Sequence, residues 1–184
     1  MKMKVEELIR KIEIPQDVEV KIENTKISVK GPKGEITRDF KIKRFEFVKD
    51  NNELIIKVKK ATKREKRLIN TFAAHIRNMF KGVTQGFIYK MKVCYSHFPI
   101  NVSLKGNELI IKNFLGEKYP RTVKLPKEVN VKINGDIIVL EGIDKEKVGN
   151  CATLIEQATR ITNRDRRVFQ DGIYLIEKDG KSIV

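Results

Sequence analysis

At 184 residues the chain can hold one domain or two small ones, and an apolar fraction of 40% is enough to bury a core rather than leave it disordered. Lys and Arg number 39 against 24 Asp and Glu, an excess of +15 that calls for a polyanionic partner, nucleic acid or an anionic membrane. No apolar run approaches the length of a membrane span and no signal peptide opens the chain, so a soluble cytosolic protein is the expectation. Cys94 and Cys151 lie far apart and form no C-x-x-C pair. Neither zinc nor a redox motif is implied, and both read as small apolar core residues.

In chain order, the stretch from Val5 to Ile12 is ambiguous between a short helix and an extended arm. Ile14-Pro15 then opens a unit in which Val18 and Val20 alternate, followed by Ile27-Ser28-Val29-Lys30 and a glycine turn at Gly31 to Gly34. Phe45-Glu46-Phe47-Val48 and Leu54-Ile55-Ile56-Lys57-Val58 are two apolar runs separated by Asp50-Asn51-Asn52, a hairpin pattern. Thr62-Lys63-Arg64-Glu65 has the form of a capping box. Leu68, Ile69, Phe72, Ala73, Ile76, Met79 and Phe80 recur at helical spacing after it, with Gly82 as a natural stop.

The same order then repeats about 84 residues on. The segment Gly82 to Tyr95 joins the copies, and Phe98-Pro99 opens the second. Val102 and Leu104 alternate, and Leu109-Ile110-Ile111-Lys112 leads to a turn at Gly116. Val129-Asn130-Val131-Lys132-Ile133 and Ile137-Ile138-Val139-Leu140 flank Asn134-Gly135-Asp136. Asp144 can cap a helix striped by Val148, Cys151, Ala152, Ile155 and Ala158. So constant an offset argues duplication of a whole domain. The expected fold is α+β, two tandem duplicated domains, each an antiparallel β-sheet with one helix packed on a face. The first unit covers residues 1–82. Linker, second unit and a basic C-terminal extension cover 83–184. The stretches 12–82 and 97–162 are expected to share one strand order.

No catalytic constellation emerges. His75 lies beside the apolar stripe of the first helix and His97 precedes Pro99, neither with an acid and nucleophile in recognisable order. Gly31-Pro32-Lys33-Gly34 lacks the length and the Lys-Ser/Thr ending of a phosphate loop and reads as a turn. No metal site, cofactor or small-molecule substrate is implied. The acids are scattered among bases, without the carboxylate cluster that an enzyme acting on nucleic acid would need.

The basic clusters carry more. Lys57, Lys59, Lys60, Lys63, Arg64, Lys66 and Arg67 surround Glu65 at a helix start, where the dipole favours phosphate, or else form a solvated face. Lys90, Lys92, Lys105, Lys112, Lys118 and Arg121 are interleaved with Tyr95, Phe114 and Tyr119, aromatics that can stack on bases or belong to the core. The sharpest segment is Arg160 to Tyr174, with four arginines just beyond the second helix. Guanidinium forks fit phosphate oxygens bidentately, and Asn163 can read a base edge or ribose hydroxyl. Asp171-Gly172 offers a turn into Ile173-Tyr174-Leu175-Ile176, a docked extended tail.

Gln157, Ile161, Arg164, Arg167, Phe169, Asp171, Gly172, Ile173, Tyr174, Leu175 and Lys178 fall in the register of a long, irregular signature. It is that of the family of universal ribosomal protein six of the large subunit, in its archaeal and eukaryotic form. Gly31 to Gly34, Lys81-Gly82-Val83-Thr84, Tyr89-Lys90-Met91 and His97-Phe98-Pro99-Ile100-Asn101 resemble the family's other shared stretches. The resemblance covers nearly the whole chain, the duplication included. It implies a structural, non-enzymatic constituent of the large subunit in the cytoplasm, bound to 23S-type rRNA near the sarcin–ricin loop and the stalk base. Partners would be large-subunit rRNA and the ribosomal proteins of the stalk base, with no membrane.

In the resemblance the second unit makes most of the RNA contact and the first meets other proteins. The contact positions carried over are Arg160, Asn163, Arg164, Arg166 and Arg167, then Lys112, Lys118 and Arg121. A free-standing RNA-binding regulator or chaperone is the alternative with the same charge. It would be found off ribosomes.

Overall fold

A computed structural model of the protein describes residues 5–42, 44–165 and 167–183. The chain forms two compact units, residues 1–86 and 87–184.

The first unit contains β1 (Val5–Glu13), β2 (Glu19–Glu23), β3 (Lys26–Gly31), β4 (Gly34–Asp39), β5 (Phe45–Asp50), β6 (Glu53–Ala61) and α1 (Lys63–Thr84). Its strands make two antiparallel three-stranded sheets, ordered β2-β3-β4 and β1-β6-β5. Alternation does what the pattern implies: Val20 faces Val29 and Ile22 faces Ile27 across β2 and β3, and Val20, Ile27 and Val29 are buried. The turn between β5 and β6 carries Asn51 in the left-handed region, which Asn tolerates better than most residues. Thr62 caps α1 and the Glu65 carboxylate reaches back to accept from the Thr62 amide at 2.9 Å, completing the capping box. Ile69, Phe72, Ala73, Ile76, Met79, Phe80 and Val83 form the buried face of the helix. Phe40 and Phe45 meet the Phe72 ring edge-on, each with centroids 5.0 Å apart.

The helix does not stop at Gly82, which is buried inside it. The left-handed glycine is Gly86, at φ 75°, and the amides of Gln85 and Gly86 both donate to the Lys81 carbonyl. The Gly31 to Gly34 turn is a further device at this helix end. Lys33 donates its amide to the Val83 carbonyl at 2.9 Å and its ammonium to the Gln85 carbonyl, supplying donors to carbonyls that the helix leaves open.

The second unit contains β7 (Phe87–Cys94), β8 (Asn101–Lys105), β9 (Glu108–Lys112), a 3-10 turn at Phe114–Gly116, β10 (Arg121–Lys124), β11 (Asn130–Asn134) and β12 (Ile137–Gly142). After these come α2 (Lys145–Ala158), β13 (Gly172–Lys178) and β14 (Lys181–Ser182). Its sheets are ordered β8-β9-β10 and β11-β12-β7-β13-β14. The strand order of the first unit therefore recurs, with β7, β12 and β11 in the places of β1, β6 and β5 and α2 in the place of α1, while β13 and β14 are additions after the helix. This is the tandem α+β duplication expected, with two sheets in each unit rather than one. Asp144 caps α2 by accepting from the Glu146 amide at 2.9 Å. Val148, Cys151, Ala152 and Ile155 are buried, and burial pushes the Cys151 thiol up to about 11.

Two expectations are corrected and one ambiguity is resolved. The segment from Phe87 to Cys94 is no linker: it is the middle strand of the five-stranded sheet, with Phe87, Tyr89, Met91 and Val93 buried at a strict period of two. Lys90 and Lys92 between them suggested a basic connector, but lysine alternating with apolar residues is a half-buried strand. The ambiguous arm at residues 5–12 is strand β1, paired antiparallel with β6. Asp171-Gly172 makes no turn either. Gly172 begins β13, which pairs with β7 from Gly172 opposite Cys94.

Two glycines test this packing in opposite directions. A Cβ on Gly31 would lie 2.7 Å from Val83 Cγ2 and 2.9 Å from the Val83 carbonyl oxygen, whereas one on Gly149, inside α2, would meet nothing within 4 Å. Gly31→Ala should destabilise by about 1–3 kcal/mol, the cost of overpacking. Gly149→Ala should stabilise by about 0.5–1 kcal/mol, because alanine loses less backbone entropy in a helix. Denaturant unfolding of the two variants reads both signs.

Candidate nucleic-acid interface

The loop from Thr159 to Asp171 carries the arginines, and both its ends are tied to the second unit. At its start, Thr159 is buried. Its hydroxyl donates to the Glu156 carbonyl at 3.1 Å and accepts from the Ile173 amide at 3.0 Å, joining the end of α2 to the start of β13. At its end, the Asp171 carboxylate is 1% exposed and accepts from the Ser96 amide at 2.8 Å, the His97 amide at 3.1 Å and the His97 ring nitrogen Nδ1 at 2.6 Å. Burial pushes this carboxyl up, but the bonds from Ser96 and His97 together outweigh it and hold the group down at about 2.

Ser, His and Asp thus meet in space, yet the geometry is no proton relay. Ser96 Oγ at 3.1 Å and Asp171 Oδ2 at 2.6 Å both address Nδ1. A nucleophile triad needs the serine on the opposite ring nitrogen. The arrangement is a clasp.

Between its ends the loop is braced. Arg121 on β10 donates through NH1 to the carbonyls of Ala158 at 2.7 Å and Arg160 at 3.3 Å, and binds both oxygens of Glu117 at 2.8 and 2.5 Å. Its guanidinium also covers the buried Phe114 ring, 4.3 Å from the centroid. Val168 and Phe169 donate their amides to the Asp165 carbonyl, and Tyr174 Oη donates to the Gln170 carbonyl at 3.1 Å. Phe169 stacks on His97 with centroids 4.5 Å apart and planes 15° apart, and the Arg164 guanidinium lies 4.8 Å from the Phe169 centroid.

The expected contact residues thus fall into different situations. Arg160 and Arg164 are exposed and have no carboxylate within ion-pair distance among the described residues. Arg167 is exposed but grips Asp165, with Nε on Oδ1 at 3.2 Å and NH2 on Oδ2 at 3.0 Å. Arg121 has its donors engaged inside the unit. Asn163 is exposed in the left-handed region. Lys112 and Lys118 are exposed; Lys112 sits at the end of β9 and Lys118 just after the 3-10 turn whose Glu117 holds Arg121. Arg166 lies outside the described residues. Of the aromatics, Phe114 is core, whereas Tyr95, Phe98 and Tyr119 are exposed.

The clasp of Ser96, His97 and Asp171 was missed by sequence reasoning, because its members stand 75 residues apart. Phe-x-Asp-Gly-x-Tyr was visible as a motif, but nothing in it names the partner of the aspartate. In the basic stretch before α1, Glu65 is half of the capping box that the Thr62-Lys63-Arg64-Glu65 pattern implied, with Arg44 at 3.7 Å.

Fold and site define a class: a protein of two repeated α+β units whose second copy presents a braced cationic loop. The chain belongs to the ribosomal protein L6 family, which matches residues 14–86 and again 98–172, once for each unit. It is 48% identical over 171 residues to the large ribosomal subunit protein uL6 of Desulfurococcus amylolyticus, covering 91% of this chain and 93% of that one. The proteins of the same name from Methanothrix thermoacetophila and Sulfurisphaera tokodaii are 45% identical over 174 residues and 47% identical over 178. These alignments cover 95% and 96% of this chain, and 99% and 96% of theirs. The family resemblance carried by the Gln157 to Lys178 signature is thereby borne out.

The clasp has a definite pH signature. The Asp171 carboxyl titrates at about 2 when folded, against an ordinary 3.8. Its contribution to stability is fully present above the ordinary value and is lost as pH falls through the folded one. Asp171→Asn should therefore lower the thermal midpoint at neutral pH, and the gap to the wild type should close as pH drops from 4 towards 2. A gap independent of pH across that window would mean that the charge of Asp171 is not what holds the loop.

Proposed function

We propose that this protein is a structural constituent of the large ribosomal subunit, catalyses nothing, and binds 23S-type rRNA through the arginine loop of its second unit. The observation that carries the reading is the state of that loop: Arg160 and Arg164 are exposed, with no carboxylate in ion-pair distance among the described residues, on a backbone tied at Thr159 and Asp171 and braced by Arg121. A cation that already holds its bound position loses little freedom when a phosphate arrives. Each phosphate neutralised releases condensed counterions, an affinity independent of sequence. Structured RNA is recognised largely through shape, backbone and 2′-hydroxyls, which suits a fixed surface better than a flexible tail. Family membership supports the ribosomal assignment, since the relatives above are large-subunit proteins by name.

Within this reading the rRNA surface includes Arg160, Asn163, Arg164 and Arg166, with Lys112 and Lys118 at its border. Arg167 joins once phosphate displaces Asp165, and Arg121 acts by holding the loop. The family resemblance supports a location near the sarcin–ricin loop and stalk base. There the protein steadies the region where translation factors dock, with neighbouring stalk-base proteins as partners and the cytoplasm as its compartment.

Affinity for a large-subunit rRNA fragment should fall steeply as salt rises, and the native protein should sediment with the large subunit through a high-salt wash. Recovery off ribosomes would favour a free-standing RNA regulator. At fixed salt, Arg160→Ala with Arg164→Ala should weaken binding far more than Lys59→Ala with Lys60→Ala. A well-placed charge-assisted bond contributes about 1.5–3 kcal/mol, and a diffuse surface lysine contributes a fraction of that, under about 1 kcal/mol. Equal losses in the two double variants would mean that the affinity is diffuse charge and not this loop.

A further inference from the structure

A groove of about 480 Å³ runs between the last turns of α2, the arginine loop and the start of β13. That volume is within the roughly 300–1,000 Å³ typical of small-ligand sites. Ile161, Phe169 and Tyr174 give it an apolar wall, and Glu156, Gln157 and Arg160 stand among the polar groups that line it. Resting on the ribosomal reading above, we propose that this groove receives one unstacked nucleotide of large-subunit rRNA, its base against the Phe169 and Tyr174 side and its phosphate on Arg160.

Three features of the groove select such a ligand. First, its aromatic wall is preformed. Phe169 is backed by the His97 ring at 4.5 Å, and that ring is held by the buried Asp171. The Tyr174 ring is held by its hydroxyl on the Gln170 carbonyl. Because His97 stacks on the Phe169 ring and the Arg164 guanidinium also lies over it, a base packs on the Tyr174 ring with the edge of Phe169 beside it, and meets side chains that are already in place.

Second, the polar lining suits a base edge. The Gln157 side-chain amide has no hydrogen-bond partner among the described residues, so it can offer both a donor and an acceptor to a base edge. The Glu156 carboxylate can accept from an exocyclic amine, as carboxylates do from cytosine. Third, charge favours a nucleotide over an acidic peptide. Arg160, which has no ion pair among the described residues, supplies a guanidinium at the groove while Glu156 supplies a carboxylate, a balance that fits one phosphate joined to a base bearing an amine. A peptide with several carboxylates would meet Glu156 with like charge.

Thr153 completes the groove lining from α2, and its hydroxyl donates to the Gly149 carbonyl of its own helix at 3.0 Å. Thr153→Phe therefore plugs the groove without touching the core or the charge, and Thr153→Ala leaves it open. Gln157→Trp is a second plug from another exposed helix position, in case the first variant folds poorly. The probe is a large-subunit rRNA fragment at fixed salt, with base-specific chemical probing of the bound RNA.

The expected result is a loss of about tenfold or more for each folded plug, of the order of one lost stacked base, with none for Thr153→Ala. The slope of affinity against salt should fall by no more than the one phosphate contact on Arg160 that leaves with the nucleotide. One nucleotide whose base is protected by the wild type should become reactive with either plug. Plugs that bind as tightly as Thr153→Ala, with the same protections, would overturn the proposal while leaving the arginine loop as the rRNA surface. Unchanged rRNA affinity together with loss of a neighbouring protein from the assembled subunit would assign the groove to a protein and would equally overturn it. Failure of the wild type to bind the fragment at all would remove both this inference and the ribosomal reading beneath it.

Discussion

The interaction on which the second unit's functional surface depends is the buried carboxylate of Asp171. A carboxylate taken out of water is strongly unfavourable unless donors replace its hydration. Here two successive backbone amides and an imidazole do so. Because those donors belong to the exit of β7 while Asp171 leads into β13, the bonds join two chain segments 75 residues apart. The consequences spread outward from that joint. His97 is held in one orientation, Phe169 stacks on it, Arg164 covers Phe169, and the loop that would otherwise be a solvated charged run becomes a surface with a shape.

Duplication supplies the scaffold, and asymmetry between the copies supplies the site. Both units repeat a three-stranded sheet, a second sheet and a closing helix. In the first, the strand β1 has a single partner among the described residues. In the second, its counterpart β7 is flanked on both sides, because β13 adds to its free edge. The chain between α2 and β13 has to span from the end of a helix to the edge of a sheet, and that span is where the arginines lie. The added strand thus extends the sheet and also fastens the cationic loop at its far end.

Charge count alone misrepresents such a surface. Several bases in the region are already engaged by the protein: Arg121 by Glu117 and two carbonyls, Arg167 by Asp165, and Lys90 by Glu177 at 3.0 Å. An exposed pair such as Arg167 with Asp165 contributes little to stability, so it can be exchanged for a phosphate at small cost. Arg121 cannot be so exchanged without releasing the loop it braces. Similar residues on the same patch therefore play unlike parts, and the distinction lies in their acceptors.

Much of this was legible in the residues. The period-two runs, the turn residues between them, the capping box at Thr62 and the helical stripes set the duplicated α+β plan, because each depends on neighbours within a few positions. The irregular spacing from Gln157 to Lys178 was enough to point to the family. What the residues did not disclose depends on who meets whom across the fold. Lysines at positions 90 and 92 looked like a linker until β12 and β13 closed on both sides of β7. Gly82 looked like a helix stop until packing carried α1 on to Thr84. Asp171 looked like a turn residue until Ser96 and His97 came within bonding distance. The sequence by itself determined which segments are strands and helices and how strongly the whole attracts a polyanion, since propensity, periodicity and net charge are local or additive. Only the tertiary structure decided which cations stay free, which aromatics form a wall and which acid holds the loop, because hydrogen bonding and burial are properties of pairs that the chain brings together from far apart.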